Sequence, residues 1–365
     1  MEKRQQEIGG RASAAAPRRL LSISTDRKVF EEGSAVRVRQ IGYAKDWDEV
    51  DIVVLSGRGL KEQVVAPNLF IYPTSSFFKF FRHLGAVRLG RFIIEKRGIT
   101  DITCQDPFFT AMAGVSLKKE TVAAGRDVRL EIQLHTDIGS PNYVRTFGNK
   151  ARKALALSYL PKADSVRVVS ERIKKYLVET LGISVSKITV RPIVVDTDKI
   201  KNAPVMAGAD LHKKYPQFEK IVLMASRLEP EKDIESAIRA WSEVVNTPAA
   251  APKLPKAGLV IVGTGSCEAK LKKLAAKLDL DASVVFEKWA DQATLFSYYK
   301  TADLFLNTSL FEGYGMTLVE AHAAGCPIVS TDVGVAPEVG AKIVGGPDKK
   351  AFIQAIAQAI TDMLK

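Results

Sequence analysis

The sequence predicts an α/β protein of two doubly wound domains. Short apolar, β-branched runs alternate with amphipathic stretches along nearly the whole chain. Those runs are apolar on both faces, as strands of a parallel sheet covered by helices must be. The alternation occurs twice, on either side of a polar segment with no strand pattern. A chain of 365 residues is long for one domain and comfortable for two.

In the first half the strand-like runs are RLLSIS (19–24), VDIVVLS (50–56), NLFIYP (68–73), DITCQ (101–105), VRLEIQLH (128–135), SVRVVS (165–170) and KITVRPIVV (187–195). In the second half they are KIVLMAS (220–226), GLVIVG (258–263), SVVFEKW (283–289), DLFLNTS (303–309) and PIVSTD (327–332). After RLEPEKD, Ile234, Ala237, Ile238, Trp241, Val244 and Val245 fall on one helical stripe, with Asp233 placed to cap it. The polar segment 196–220 marks the domain break, and the proline-bearing stretch 247–258 reads as a surface connection. The expected organisation is a flexible basic tail over 1–18, a first domain over 19–200 and a second over 201–365.

Composition narrows the function. Hydrophobic residues make up 46% of the chain and charged residues 26%, with no run long enough to span a bilayer. The tail lacks the apolar stretch of a signal peptide, and three scattered cysteines argue against a disulfide framework. Both fit the reducing cytoplasm. Residues 1–200 hold 34 Lys and Arg against 22 Asp and Glu, whereas residues 201–365 hold 19 of each. The whole net charge of +12 therefore lies in the first half, which is expected to face something anionic.

The stretch SLFEGYGMTLVEA (309–321) carries the chemistry. It reads as the loop after a strand, leading into a helix that Gly325-Cys326-Pro327 ends. Open parallel sheets bind ligands beyond the carboxyl ends of their strands, and helix N-termini suit phosphate. Gly313 and Gly315 allow close approach of the backbone. Glu320 lies about 6 Å along the helix, its side chain leaning back toward the N-terminus, where a carboxylate suits a ribose diol. Glu312 lies beyond the helix, where an attached sugar would sit. Arg227 and Lys232, after the strand KIVLMAS, supply cations for a diphosphate. VGTGS (262–266), with Gly263, adds a further glycine turn at a strand end, a weak signal by itself.

These motifs resemble the family-4 retaining glycosyltransferases of the GT-B fold, in which two Rossmann-like doubly wound domains face each other across a cleft. The resemblance runs from about residue 19 to the C-terminus and is strongest over 220–340. It rests on ASRLEPEKD, VGTGSCEAKLKKLA and SLFEGYGMTLVEAHAAGCPIVSTDVG together. It implies Glu312 as the acid near the donor sugar and Glu320 as the ribose ligand. It implies Arg227 and Lys232 as phosphate cations, and the stretch Gly313, Tyr314, Gly315, Met316 and Thr317 as the phosphate-binding helix start. His135, in LHTD, matches an active-site histidine. Gly33 stands alone in EEGSAV, where the family has a glycine-rich turn. The usual Asn-Gly near the hinge is absent from RPIVVDTD, and the chain ends at Lys365, where many relatives continue into a helix that crosses back.

The expected activity is sugar transfer from a nucleotide diphosphate sugar to an acceptor hydroxyl, with configuration retained and without a catalytic metal or other cofactor. A glycan or a lipid-linked, anionic acceptor in envelope or polysaccharide synthesis is expected, with the protein cytoplasmic and in reach of the inner membrane face. A nucleotide-sugar epimerase and a non-catalytic nucleotide-sugar binder are the alternatives. His83, His212 and His322 read as structural or surface groups. SSFFKFFRHLGAVRLGRFIIEKR (75–97) reads as a core-packing helix or as a lipid-docking one. No nucleic-acid module is visible.

Overall fold

The computed structural model describes residues 17–246 and 256–365, apart from the side chain of Phe80. Most of the expected tail and of the proline-bearing connection lies outside the described residues. The first part of the chain contains β1 (Arg19–Ser24), α1 (Ala35–Ala44), β2 (Glu49–Val54), β3 (Gln63–Ala66), β4 (Leu69–Pro73), α2 (Arg82–Arg97) and β5 (Asp101–Cys104). It continues with α3 (Phe109–Ala123), β6 (Arg129–Leu134), α4 (Phe147–Tyr159), β7 (Ser165–Val168), α5 (Glu171–Leu181) and β8 (Ile188–Val190). These strands order as β3-β4-β2-β1-β5-β6-β7-β8, and the β3–β4 pair is antiparallel.

The later part holds α6 (Thr197–Asn202), α7 (Leu211–Lys214), β9 (Lys220–Ala225), α8 (Ile234–Val245), β10 (Ala257–Val262), α9 (Glu268–Lys277) and β11 (Val284–Glu287). There follow α10 (Gln292–Thr301), β12 (Leu304–Asn307), α11 (Met316–Ala323), β13 (Ile328–Thr331), β14 (Lys342–Val344) and α12 (Lys349–Leu364). The second sheet runs β11-β10-β9-β12-β13-β14, and every pair in it is parallel. The chain thus forms two parallel-sheet, Rossmann-like α/β domains. It divides into compact units of residues 1–133 with 154–166, and 134–153 with 167–365.

Alternation explains why the second sheet is covered on both faces. Val222 and Met224 of β9 enter one core with Ile238 and Trp241 of α8 and Ile356 and Ile360 of α12. Ile221, Leu223 and Ala225 enter the opposite core, with Tyr299 of α10 and Leu318 of α11. In the first unit, Val50, Ile52 and Val54 of β2 pack with Leu69, Ile71 and Ala44 on one side.

The structure corrects several local expectations. β8 stops at Val190, two residues before Pro192, which has no N–H to offer a ladder. The sequence patterns missed β3 and β14, both edge strands with few buried residues. The segment 75–97 is not one helix: Phe77 and Phe78 precede a 3-10 turn (Lys79–Phe81), and α2 begins at Arg82. Asp233 stands at the N-cap position of α8 but makes no side-chain cap bond. Its φ is +43°, and its carboxylate instead takes the Ser236 hydroxyl at 2.6 Å and the Lys349 ammonium at 2.9 Å.

Candidate functional site

In the second sheet the chain starts at β9, works outward through β10 and β11, then crosses back to β12. The strand order therefore reverses between β9 and β12, and the crevice beyond their carboxyl ends is the favoured ligand position. The loop after β9 carries Arg227 and Lys232, and the loop after β12 carries Glu312.

Those two loops are stitched together. The Leu310 amide donates to the Glu231 carbonyl at 2.8 Å, and Thr308 Oγ1 donates to the Lys232 carbonyl at 2.9 Å. Lys232 Nζ forms an ion pair with Glu312 Oε1, and Ser309 Oγ donates to the same oxygen at 2.8 Å. Ser309 is buried, and its backbone carbonyl accepts from Thr331 Oγ1 at 2.6 Å. Lys232 and Glu312 are thus brought together, whereas Arg227 is more exposed and pairs with Glu231 at 2.8 Å.

Gly313 and Gly315 are required by the backbone. A Cβ on Gly313 would run into the carbonyl oxygen of His135, which lies just past β6. Gly315 has φ of +92° at the N-cap of α11, a conformation that favours glycine, and Tyr314 precedes it with its carbonyl accepting from the Val335 amide at 2.9 Å. The free amides of the first turn of α11 begin at Met316 and Thr317. The side chain of His135 is exposed.

Glu320 is buried, one turn into α11, and accepts from Tyr299 Oη of α10 at 3.1 Å. Burial pushes the Glu320 carboxyl above the usual range, and the Tyr299 hydrogen bond offsets part of that rise. Gly263, with φ of +144°, follows β10, where a Cβ would strike the Ser226 carbonyl. Nearby, Glu229 accepts from the Ser266 amide at 3.0 Å and from its hydroxyl at 2.6 Å, which holds the Glu229 carboxyl below its usual range. Gly33 lies in the first unit, at φ +73°, in the turn before α1.

Sequence patterns missed Ser309, Ser266 and Tyr299 as partners of the acids. Only the spacing of Ser309 three residues before Glu312 offered a signal. His212 Nε2 lies 3.2 Å from Asp303. Among the described residues, no group of three or more His, Cys, Asp or Glu could hold a metal ion, and no helix is long and apolar enough to cross a membrane.

Residues 42–199 match the family model for Glycosyltransferase Family 4, and residues 210–365 match that for Glycosyl transferases group 1. The chain is 35% identical over 121 residues to an uncharacterized glycosyltransferase of Methanocaldococcus jannaschii, covering 33% of this chain and 29% of that protein. It is 32% identical over 112 residues to the alpha-monoglucosyldiacylglycerol synthase of Streptococcus pneumoniae, covering 31% and 24%. These matches span under a third of either relative's length. The solved sucrose-phosphate synthase of Thermosynechococcus elongatus superposes over 95% of this chain and 90% of its own, with a TM-score of 0.71 at 19% identity. That likeness is one of fold.

Proposed function

The chain belongs to the group 1, family 4 glycosyltransferases of the GT-B fold, and on that premise we propose that it moves a sugar from a nucleotide diphosphate sugar to an acceptor hydroxyl with retention of anomeric configuration. The observation that carries this reading is the pairing of Lys232 with Glu312 across the point where the strand order reverses, beside the N-terminus of α11.

Each group has one task in the proposed reaction. Lys232, Arg227 and the first amides of α11 face the diphosphate and stabilise the charge it gains as its bond to the anomeric carbon breaks. These are preorganised donors, so the proposed step calls on no metal. Glu320 accepts from the ribose hydroxyls, and Glu312, with His135 nearby along the backbone, orients the sugar. The acceptor oxygen forms the new bond to the anomeric carbon, and its proton leaves with the diphosphate. Gly313, Tyr314, Gly315, Met316 and Thr317 shape the phosphate cradle, and Gly263 contributes close backbone approach. The acceptor proposed is a glycan or a lipid-linked anionic molecule of envelope or polysaccharide synthesis. Its support is the +12 charge confined to residues 1–200 and the name of the pneumococcal relative, a synthase of a glucosyldiacylglycerol.

A thermal-shift panel of nucleotide sugars tests the proposal, since a ligand that binds only the folded state raises the melting temperature with its occupancy. One nucleotide sugar should stabilise the parent and fail to stabilise Lys232→Ala. Equal affinity of parent and variant for the nucleoside diphosphate would overturn the assignment of Lys232. Sugar transfer that strictly requires an added acceptor separates this reading from an epimerase.

A further inference from the structure

The first unit carries a surface that the donor chemistry leaves unused. A cavity of about 630 Å³ opens beyond the carboxyl ends of β1 and β2, lined by Arg27, Phe30, Arg58, Leu60 and Lys61 among others. One acid, Glu31, shares that lining with three cations. Among the described residues, none of Arg27, Arg58 and Lys61 has an ion-pair partner. Arg82 approaches Gly57 at the cavity wall, and its Nε is buried without a hydrogen-bond partner.

An apolar cluster adjoins the cavity. The Arg58 guanidinium stacks on the Phe77 ring at 3.6 Å from its centroid. Phe77 contacts Phe78 at 5.9 Å between centroids, and Phe78 contacts Phe81 edge-on at 6.2 Å. These three rings are 70%, 66% and 57% exposed. Leu84 and Phe92 extend the exposed apolar surface along α2. Such rings gain nothing by facing water, and they precede a helix whose Ala86, Gly90, Ile93 and Ile94 already supply the core contact. Residues 57–97 hold eight Lys and Arg against two Asp and Glu.

We propose that this surface docks the protein on an anionic lipid bilayer, with Phe77, Phe78 and Phe81 entering the acyl boundary and the Arg27, Arg58 and Lys61 cavity taking a phosphate headgroup. Large apolar rings ringed by cations are what an interfacial anchor requires: the rings supply burial, and the cations supply attraction to surface phosphate. Arg58 joins the two halves, because the side chain that lines the cavity also stacks on the leading ring. This deepens the acceptor side of the function proposed above and rests on it for its purpose, since a lipid-linked acceptor would be met at that surface. Docking itself needs no donor, so the two can fail separately.

Sedimentation with phosphatidylcholine vesicles, with and without phosphatidylglycerol, tests the proposal. The parent should sediment with the phosphatidylglycerol vesicles, return to the supernatant as salt is raised, and stay in the supernatant with neutral vesicles. The double variant Phe77→Ser, Phe78→Ser should lower partitioning at least about tenfold. Arg58→Glu should lower it by a similar factor, and both variants should melt at the parent's temperature. Vesicle binding that persists in both variants would overturn the proposal and move the contact elsewhere in the chain. Binding of free glycerol phosphate by the parent, with no vesicle binding, would overturn it in favour of a soluble phosphate site. A nucleotide-sugar thermal shift that survives in Arg58→Glu keeps donor binding independent of either result.

Discussion

Lys232 and Glu312 form an ion pair whose side chains are only 14% and 18% exposed, and they come from loops eighty positions apart in the chain. The pair ties together the loops that follow the neighbouring strands β9 and β12. A donor diphosphate approaching Lys232 would compete with Glu312 for the ammonium. Lys232→Ala should therefore weaken nucleoside diphosphate binding by about tenfold or more, as expected for a hydrogen-bonded charge contact. Calorimetric titration measures it directly.

Glu312→Gln should separate binding from turnover. The amide keeps the size of the side chain and a hydrogen-bond acceptor for Ser309. Donor affinity should remain within a few-fold of the parent, while turnover falls by about a hundred- to a thousand-fold, the scale of losing one preorganised polar group. A variant that turns over at the parent's rate would remove Glu312 from the reaction.

Gly313→Ala tests the backbone contact with His135. The added methyl meets a carbonyl that belongs to the backbone, so the acid loop has to move as a whole. The expected cost is about 1–3 kcal/mol of stability, with a larger loss of activity because Glu312 moves with the loop. A urea titration and a rate measured on the same preparation compare the two losses.

Donor affinity should depend on pH through Glu320. Burial raises its carboxyl above the usual glutamate range, and in the proposed binding mode only the charged form would accept from both ribose hydroxyls with both oxygens. Affinity should therefore fall as pH drops, with the fall starting at a higher pH than an ordinary glutamate would give. Tyr299→Phe removes the hydrogen bond that favours the charged form, so the fall should move to higher pH. Titrations at several pH values check both.

Asp51 offers a stability test in the first unit. It is fully buried on β2, with Arg97 Nε 3.4 Å away. Burial raises its pKa from 3.8 to about 6, with Arg97 opposing and Glu49 adding to the rise. A folded-state pKa above the unfolded one means that the folded protein binds the proton more tightly. The contribution of Asp51 is therefore most favourable below about pH 4, declines as pH rises to about 6, and is level above that. The whole decline is on the order of 3 kcal/mol. Asp51→Asn should flatten this part of the profile, measured as the difference in urea stability between parent and variant at pH 4.5 and pH 7.

The sequence by itself determined the parallel α/β architecture and the place of most strands, because residues that face two helical layers must be apolar on both faces. It also placed Glu312, Lys232 and Gly315 at strand ends, since turn glycines and strand runs are local signals. The edge strands β3 and β14 escaped it, because an exposed edge needs little apolar pattern. Only the tertiary structure decided that Lys232 meets Glu312, that Ser309 and Tyr299 hold the two acids, and that Gly313 lies against His135. Those contacts depend on which strands become neighbours, and the crossover that sets β9 beside β12 leaves no mark in the spacing of residues along the chain.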